Sequence, residues 1–399
     1  GIDRGYLQLW QNDGTGQFTN VSAETGLLDA GAGWWMGLSF GDVNGDGRLD
    51  FFGSNFGDYG ITLISPIDPV YADFFNYDLG RGTSRWLLGQ EDGTFLDPGV
   101  GNLMATPFGW GTSMVDYDND ADTDIIFHGG LNPGTIVQTA PGVMLRNQGL
   151  GEFERDEVAL AASTDHERRA VQGMAVGDLD DNGFADIVSV SNFDIPADAP
   201  LARYNADWGS PFDFGGYLQW FLPSPDPTVL PFSGILLENG TLSVELSSAD
   251  NSNRWAKIRL RGTADLSGRA NRDGIGAVVT FTTRDGKTTA RPVLGGASYA
   301  SQDSLELGFG LGDQRRGTVD VLWPGGTRNR VYWVRHGERL EIPEIACSYD
   351  DNWSSPFAYL GCVLNSLSEL RQAGVIDHRK SKRLLASAFR AYIDAQRGL

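Results

Sequence analysis

A twelve-residue acidic segment occurs three times in the first half of this chain, and its recurrence restricts the fold more than any other feature. The copies read GDVNGDGRLDFF from Gly41, VDYDNDADTDII from Val115 and GDLDDNGFADIV from Gly177. The first Asp of each copy lies 74 and then 62 residues after the one before it. Repetition of this kind predicts a repeat protein in which each copy is one supersecondary unit.

The three copies place oxygen-bearing side chains at the first, third, fifth and ninth positions of one loop. They are Asp42, Asn44, Asp46 and Asp50; Asp116, Asp118, Asp120 and Asp124; and Asp178, Asp180, Asn182 and Asp186. The seventh residues share no side-chain chemistry, so a backbone carbonyl is the expected donor there; they are Arg48, Asp122 and Phe184. Because clustered carboxylates repel one another, the pattern predicts a hard cation in each loop, and calcium accepts six to eight oxygens. Solvated turns that bind nothing are the alternative.

The loops differ from EF-hands, which open in the same way but close with a bidentate Glu at position twelve, on a helix. Here the twelfth residues are Gly53, Phe127 and Ser189. The ninth-position Asp runs directly into two apolar residues in every copy, as suits a strand buried on both faces. The sequence therefore predicts about three strand-capping calcium loops.

Other signals recur with the loops. A glycine lies five residues before the first Asp of each copy, at Gly37, Gly111 and Gly173. Hairpin-like runs precede the loops as LWQNDGTGQF, LLGQEDGTF and MLRNQGLGEF, and a fainter fourth copy, ILLENGTL, has no acidic loop after it. In these motifs, residues 5 to 245 resemble the FG-GAP (VCBS) repeats of integrin-alpha-type β-propellers. The resemblance implies blades whose acidic loops hold calcium on one face of the disc.

Two features depart from a regular propeller. The second loop has Ala121 where the others have Gly47 and Gly183, and alanine costs about 1 kcal/mol if a positive φ is needed there. Closed propellers have four to eight blades, whereas three full repeats and one partial copy are visible. Residues 1–250 are therefore predicted to form an incomplete propeller, completed by sequence absent here or by degenerate blades hidden in inserts.

Two inserts interrupt the repeats, at about 58–84 and 192–233. The second is rich in aromatic residues, namely Trp208, Phe212, Phe214, Tyr217, Trp220 and Phe221. Long loops with aromatic side chains often bind partners, and the alternative is that they cover blade edges or pack on the neighbouring domain.

The composition changes near Asn253 to short β-rich runs between glycine turns, and alternation at 257–260 and 318–321 predicts strands with one solvent-exposed face. The blocks NRWAKIRLRG, NRDGIGAVV, GGASYASQDSLELGFGLGD and VDVLWPGG resemble the ASPIC/UnbV domain of secreted bacterial proteins. The resemblance implies a small all-β domain over residues 251–343 and defines no reaction. Residues 271–274 are interpreted as a turn. Tyr299, Ser301, Gln302 and Asp303 are interpreted as a turn in preference to a polar patch.

Residues 344–399 are predicted to form a disulfide loop followed by two helices. Cys347 and Cys362 are the only cysteines, and an isolated close pair in an exported chain predicts a disulfide. Beyond Cys362, apolar residues recur every three to four positions on both sides of a break at 374–378, and a basic run opens the second helix. These helices must dock, either on this chain's own β domain or on another subunit.

The net charge of -21 over 399 residues argues against nucleic acid as a partner, and three calcium ions would offset about six of those charges. No apolar run approaches the roughly 18 residues needed to span a bilayer. The cysteine pair and the calcium loops favour a secreted, extracellular or cell-surface location, with the periplasm as an alternative.

The fold class predicted is mainly β, with a partial propeller, a small all-β domain and a helical pair. The four histidines are scattered and no catalytic motif is present, so a non-enzymatic role is expected. The function favoured is an adhesion, matrix or assembly module in which calcium holds a rigid face for protein or glycan partners. The alternatives are a subunit of an extracellular filament or surface layer, assembled through the helices, and a propeller-based hydrolase or lyase acting on polysaccharides or esters.

Overall fold

The computed structural model describes residues 2–55, 84–98, 109–129, 142–156, 158–159, 168–197 and 238–398. Within them the chain is mainly β, with antiparallel sheets in its first part, a smaller β domain after them and two helices at the end, so the predicted fold class is confirmed. Both predicted inserts lie outside the described residues except at their ends, and so do the six aromatic residues of the second insert.

Three sheets with a common construction make up the first part, and we call them blades. Each runs from a strand that begins near a glycine, through the acidic loop, to a buried strand and then one or two outer strands. The first comprises β1 (Ile2–Tyr6), β4 (Ala32–Gly41), β5 (Asp50–Asn55), β6 (Arg85–Gly89) and β7 (Phe95–Leu96), with the separate hairpin β2 (Trp10–Asn12) and β3 (Phe18–Asn20) between its first two strands in the sequence. The second comprises β8 (Gly109–Val115), β9 (Asp124–Gly129), β10 (Val143–Asn147) and β11 (Phe153–Arg155). The third comprises β12 (Arg169–Gly177), β13 (Asp186–Asp194), β14 (Glu238–Asn239) and β15 (Leu242–Glu245).

Two of the three strands that follow the acidic loops are buried as the sequence predicts. All six residues of β5 and all six of β9 are buried. The second blade covers one face of β5 and side chains of the first blade itself cover the other, whereas β9 lies between the first and third blades. One apolar cluster joins the first blade to the second and another joins the second to the third. In β13 the burial alternates, and Val190 is exposed beside its cross-strand partner Leu242.

The fourth, fainter copy does not form a hairpin. Both β14 and β15 pair with β13 on either side of Gly240, so the segment is a single interrupted neighbour of the buried strand. A Cβ on Gly240 would lie 2.1 Å from the carbonyl oxygen of Ser191, which shows that glycine serves close strand approach here and not a turn.

The recurring glycine before each loop permits close packing of the inner strands. A Cβ on Gly37 would lie 2.2 Å from the Trp110 carbonyl oxygen in the second blade, and one on Gly111 would lie 2.7 Å from Met174 in the third. Contacts this short exclude a side chain at these two positions, so the innermost strands of successive blades lie close together there. A Cβ on Gly173 would lie 3.0 Å from the Ser301 hydroxyl, so within the described residues the third copy of the glycine approaches the second domain and not another blade.

The second part contains seven strands in two sheets over one core. They are β16 (Arg254–Arg261), β17 (Val278–Thr283), β18 (Thr288–Pro292), β19 (Glu306–Gly312), β20 (Arg316–Leu322), β21 (Arg328–Arg335) and β22 (Glu338–Pro343). One sheet has the order β19-β16-β22, in which β16 and β22 are parallel, and the other has the order β18-β17-β20-β21. Burial alternates along β17, as predicted for strands with one solvent-exposed face.

Two helices, α1 (Pro356–Gln372) and α2 (His378–Gln396), follow the last strand. The first begins six residues before Cys362, earlier than predicted, because Ser355 caps it and Pro356 occupies its first position. The disulfide between Cys347 and Cys362 is present and ties α1 to the end of the β domain. Closing a loop of this length contributes roughly 3 kcal/mol.

The helices dock on their own β domain, which is one of the two predicted alternatives, while Leu364 and Phe389 remain exposed. Tyr359, Val363, Leu384 and Tyr392 lie in the same buried cluster as Trp323 of the β domain. Part of the basic run of α2 is also paired within the chain. Lys380 lies 3.2 Å from Glu341, and Arg383 pairs with Glu338. None of the described helices is long and apolar enough to cross a bilayer.

Candidate metal centre

The three acidic loops share one backbone geometry. Two residues in each have a positive φ, at the fourth and sixth positions, and the angles are 72° and 81° at Gly45 and Gly47, 62° and 75° at Asn119 and Ala121, and 65° and 97° at Asp181 and Gly183. The requirement for a positive φ at Ala121 is thus confirmed, with its cost of about 1 kcal/mol. The sequence reasoning missed the fourth position, although Gly and Asn there are the residues that tolerate this conformation best.

The first-position carboxylate is the centre around which each loop winds. Asp42 accepts hydrogen bonds from the backbone N–H groups of Gly45 at 2.8 Å, Asp46 at 3.1 Å and Gly47 at 2.8 Å. Asp116 accepts from Asp120 and Ala121, and Asp178 accepts from Gly183 at 2.7 Å. These bonds orient the carboxylate inward and hold the loop closed.

The ninth-position carboxylate joins the loop to the neighbouring strand. Asp50 accepts from the N–H of Val43 at 2.8 Å with one oxygen and from that of Gly89 at 2.9 Å with the other. The same pair of bonds recurs at the other two loops, from Tyr117 and Asn147 to Asp124 and from Leu179 and Ser247 to Asp186. The ninth-position residues, predicted as cation ligands, therefore have a second role: their hydrogen bonds connect the loop to a neighbouring segment of the same blade.

Carboxylate oxygens converge in two of the three loops. Those of Asp116, Asp118 and Asp120 lie within 4.8 Å of one another, and so do those of Asp178, Asp180 and Asp186. In the first loop, by contrast, the guanidinium of Arg48 contacts the Asp46 carboxylate, and Asn44 donates to it at 2.9 Å. The three loops are alike in backbone but not in the freedom of their oxygens.

The third loop contains an unpaired polar atom that fits a metal ion. Oδ1 of Asp178 is buried and has no hydrogen-bond partner within the described part of the chain. A buried acceptor without a partner is costly, and a cation among the three carboxylates would satisfy it. These oxygens belong to the hard ligand class that calcium prefers.

Burial sets the charge state of the loops. It raises the pKa of Asp50 to about 7 and that of Asp42 to about 6 in the first loop. In the second loop, burial and the neighbouring carboxylates raise the pKa of Asp116 and of Asp124 well above the usual range. These carboxyl groups therefore favour a proton, or another cation, as a partner.

The metal-free protein is expected to be more stable at pH 5 than at pH 7.5. A carboxyl with a raised pKa keeps its proton in the folded chain when the unfolded chain has lost it, so stability falls as the pH rises from about 4 through 6 and 7. Calcium requires the ionised form, so saturating calcium should remove or reverse this trend. Melting midpoints at fixed ionic strength in chelator and in calcium measure it, and a midpoint in chelator that rises with pH would contradict it.

The second domain lies on all three loops. Thr288 packs on Gly45 and Gly47 of the first loop. Lys287 donates to Asp122 of the second loop at 2.8 Å, and Thr289 donates to the carbonyl of Ala121 at 3.0 Å. At the third loop Lys257 pairs with Asp178, and Arg339 with Asp181 at 2.9 Å. The loops thus contact the chain's own second domain.

A segment of the second domain, residues 297–304, runs along the inner strands of the blades. Ser298 exchanges two backbone hydrogen bonds with Leu38 of the first blade. Asp303 accepts from the Ser113 hydroxyl of the second blade and from the Val176 N–H of the third, both at 2.8 Å. The interpretation of this polar patch as a simple turn is incomplete, because the patch joins all three blades to the second domain. The Asn271–Gly274 turn is confirmed by a hydrogen bond of 2.9 Å from the N–H of Gly274 to the carbonyl of Asn271.

Comparison with known proteins agrees with this two-part organisation. Residues 1–53 match the family model of the FG-GAP-like repeat, and residues 267–348 match that of ASPIC and UnbV. The chain is similar to cartilage acidic protein 1 of Homo sapiens, with 23% identity over 77% of this chain and 46% of the relative. It is also similar to cartilage acidic protein 1 of Xenopus tropicalis, with 23% identity over 74% of this chain and 46% of the relative. The chain thus spans about half the length of these two curated relatives.

Proposed function

We propose that this chain is part of an extracellular calcium-binding protein of the matrix or adhesion type, in which calcium joins the blades and the ASPIC/UnbV-like domain into one rigid unit. The observation that carries the proposal is the convergence of three carboxylates in the second loop and of three in the third. In the third loop, Oδ1 of Asp178 is also buried without a hydrogen-bond partner among the described residues. The similarity to cartilage acidic protein 1 and the disulfide support an extracellular setting.

The proposed mechanism is structural. A divalent ion in each loop would draw the side-chain oxygens of the first, third, fifth and ninth positions together and oppose the mutual repulsion of the carboxylates among them. In each loop the ninth-position Asp accepts a hydrogen bond from a backbone N–H outside the loop, that of Gly89, Asn147 or Ser247. Closing the loop around an ion would therefore also fix its position in the blade. Because the second domain contacts the same loops, ions in the first and second loops would also order the surface on which that domain lies.

Partners would then bind surfaces other than the three loop faces. A protein or glycan partner remains our proposal for the binding function, and we propose no catalytic step. The filament or surface-layer alternative is less favoured, because the helices already pack much of their apolar surface on their own domain, although Leu364 and Phe389 remain exposed.

The stoichiometry of calcium binding tests the proposal. Native mass spectrometry of the full chain, after dialysis against millimolar calcium, is expected to show up to three bound ions. Asp118→Ala and Asp180→Ala should each remove one ion, because each takes one oxygen donor from a single cluster. Asp351→Ala changes an exposed Asp outside the loops and should remove none. Equal ion counts in all four proteins, or no bound calcium in the unaltered chain, would refute the proposal.

A further inference from the structure

The third acidic loop contains an ammonium group that belongs to the second domain. Lys257 in β16 is only 3% exposed, and its Nζ contacts Oδ2 of Asp178 and lies 3.4 Å from Oδ1 of Asp181. The N–H of Gly183 donates to the same Asp178 oxygen. One oxygen of the first-position carboxylate is therefore committed to the second domain and to the loop backbone.

The other oxygen of that carboxylate is a buried acceptor. Oδ1 of Asp178 has no hydrogen-bond partner within the described residues, and the Asp178 side chain is 9% exposed. This carboxylate belongs to the group in which Asp178, Asp180 and Asp186 bring oxygens within 4.8 Å of one another. An ion in the cluster and the ammonium of Lys257 would share a single carboxylate, one on each oxygen.

The other loops lack this arrangement in the part of the chain that the structure describes. Lys287 reaches the second loop, but it is 47% exposed and pairs with the seventh-position Asp122, outside the group of converging oxygens. In the first loop the pairing cation is Arg48, which belongs to the loop itself. Of the three, only the third loop has a first-position carboxylate paired with a buried ammonium from the second domain.

We propose that Lys257 is a built-in counter-cation of the third loop, and that it lowers the calcium affinity of this loop while holding the second domain on the third blade. The inference rests on the proposed calcium binding. A divalent ion about 5 Å from an ammonium is repelled enough to lower its affinity roughly tenfold, even with the dielectric constant of water. By linkage, calcium bound in this loop weakens the pairing of Lys257 with Asp178 by the same factor.

The side chain of Trp255 provides a selective reporter for this loop. A Cβ on Gly183 would lie 1.8 Å from Nε1 of Trp255, so the indole packs directly on the loop backbone. Terbium(III) bound in the third loop should therefore be sensitised by Trp255, and calcium affinity can be read from its displacement of terbium. Loss of that emission in Trp255→Phe and in Asp180→Ala assigns the signal to this site.

The decisive comparison is the calcium affinity of the third loop in variants of Lys257 in the full chain. Lys257→Gln, and Lys257→Met as a second neutral variant, should tighten calcium binding there about tenfold. Lys257→Arg keeps the charge, and Lys382→Met removes an exposed lysine of α2, so both should stay within about twofold of the unaltered chain. Unchanged or weaker binding in both neutral variants, with calcium still bound at the other loops, would overturn the inference alone. Absence of calcium binding at every loop would overturn the proposed function as well.

Discussion

Removal of calcium is expected to lower the melting midpoint of the full chain by on the order of 10 °C. Extracellular calcium modules bind with dissociation constants of about 0.1–1 mM. At about 2 mM calcium, a site with a constant near 0.1 mM gains about 1.8 kcal/mol of stability, and three such sites gain about 5 kcal/mol. For a domain of about 200 residues, each kcal/mol moves the midpoint by roughly 2–4 °C. Differential scanning calorimetry in calcium and in excess chelator measures the effect.

A variant with one carboxylate removed from each loop provides the matched control. The triple substitution Asp46→Ala, Asp118→Ala and Asp180→Ala leaves the first- and ninth-position hydrogen bonds in place, because it changes none of those residues. Its midpoint should be nearly the same with and without calcium. Equal midpoints for the unaltered chain in calcium and in chelator would show that the ions, if bound, do not hold the blades together.

Replacing Asp303 by alanine is expected to weaken the joint between the domains by about 3 kcal/mol. The carboxylate accepts one hydrogen bond from Ser113 and one from Val176, and each bond to a charged acceptor contributes about 1.5–3 kcal/mol. The substitution also removes a negative charge near the buried guanidinium of Arg291, whose pKa burial lowers and Asp303 raises. Asp303→Asn, which keeps an oxygen acceptor, should have a smaller effect.

Urea unfolding followed by tryptophan fluorescence distinguishes loss of the joint from general instability. If residues 297–304 couple the domains, Asp303→Ala should split one transition into two, because the β domain no longer unfolds together with the blades. Asp351→Asn, at an exposed position, should leave the transition unchanged. A single transition at the original midpoint in Asp303→Ala would show that the Asp303 contacts contribute nothing to the coupling between the two domains.

The local features of the blades could be predicted from sequence because they depend on neighbours in the chain. Turn geometry, the apolar pair after each loop and the need for a positive φ at Ala121 all follow from residues within about ten positions of one another. The glycine before each loop was recognised as a repeated signal. The close approach of the next blade to Gly37 and to Gly111 involves segments that are distant in the sequence, so the role of these glycines follows only from the fold.

What the sequence could not reveal is where the distant parts meet. Nothing in the letters of residues 297–304 shows that Ser298 pairs with Leu38, about 260 positions earlier. Likewise, amphipathic helices show an apolar face but not what covers it, and both docking alternatives fitted the pattern equally well. The distinction among the three loops depends on Arg48, Lys257 and Lys287, and only Arg48 is close in sequence to the loop it contacts.

The contacts of residues 297–304 with the blades have a mechanical consequence. Ser298 is bonded to the first blade and Ser304 to the third, whose Val176 carbonyl accepts its N–H at 2.8 Å. A pulling force applied through the disulfide-anchored helices would load the bonds to both blades at the same time. The two sets of bonds could therefore not break one after the other. In a protein that works under tension between cells or fibres, such sharing of load would raise the force needed for mechanical failure without any additional contact.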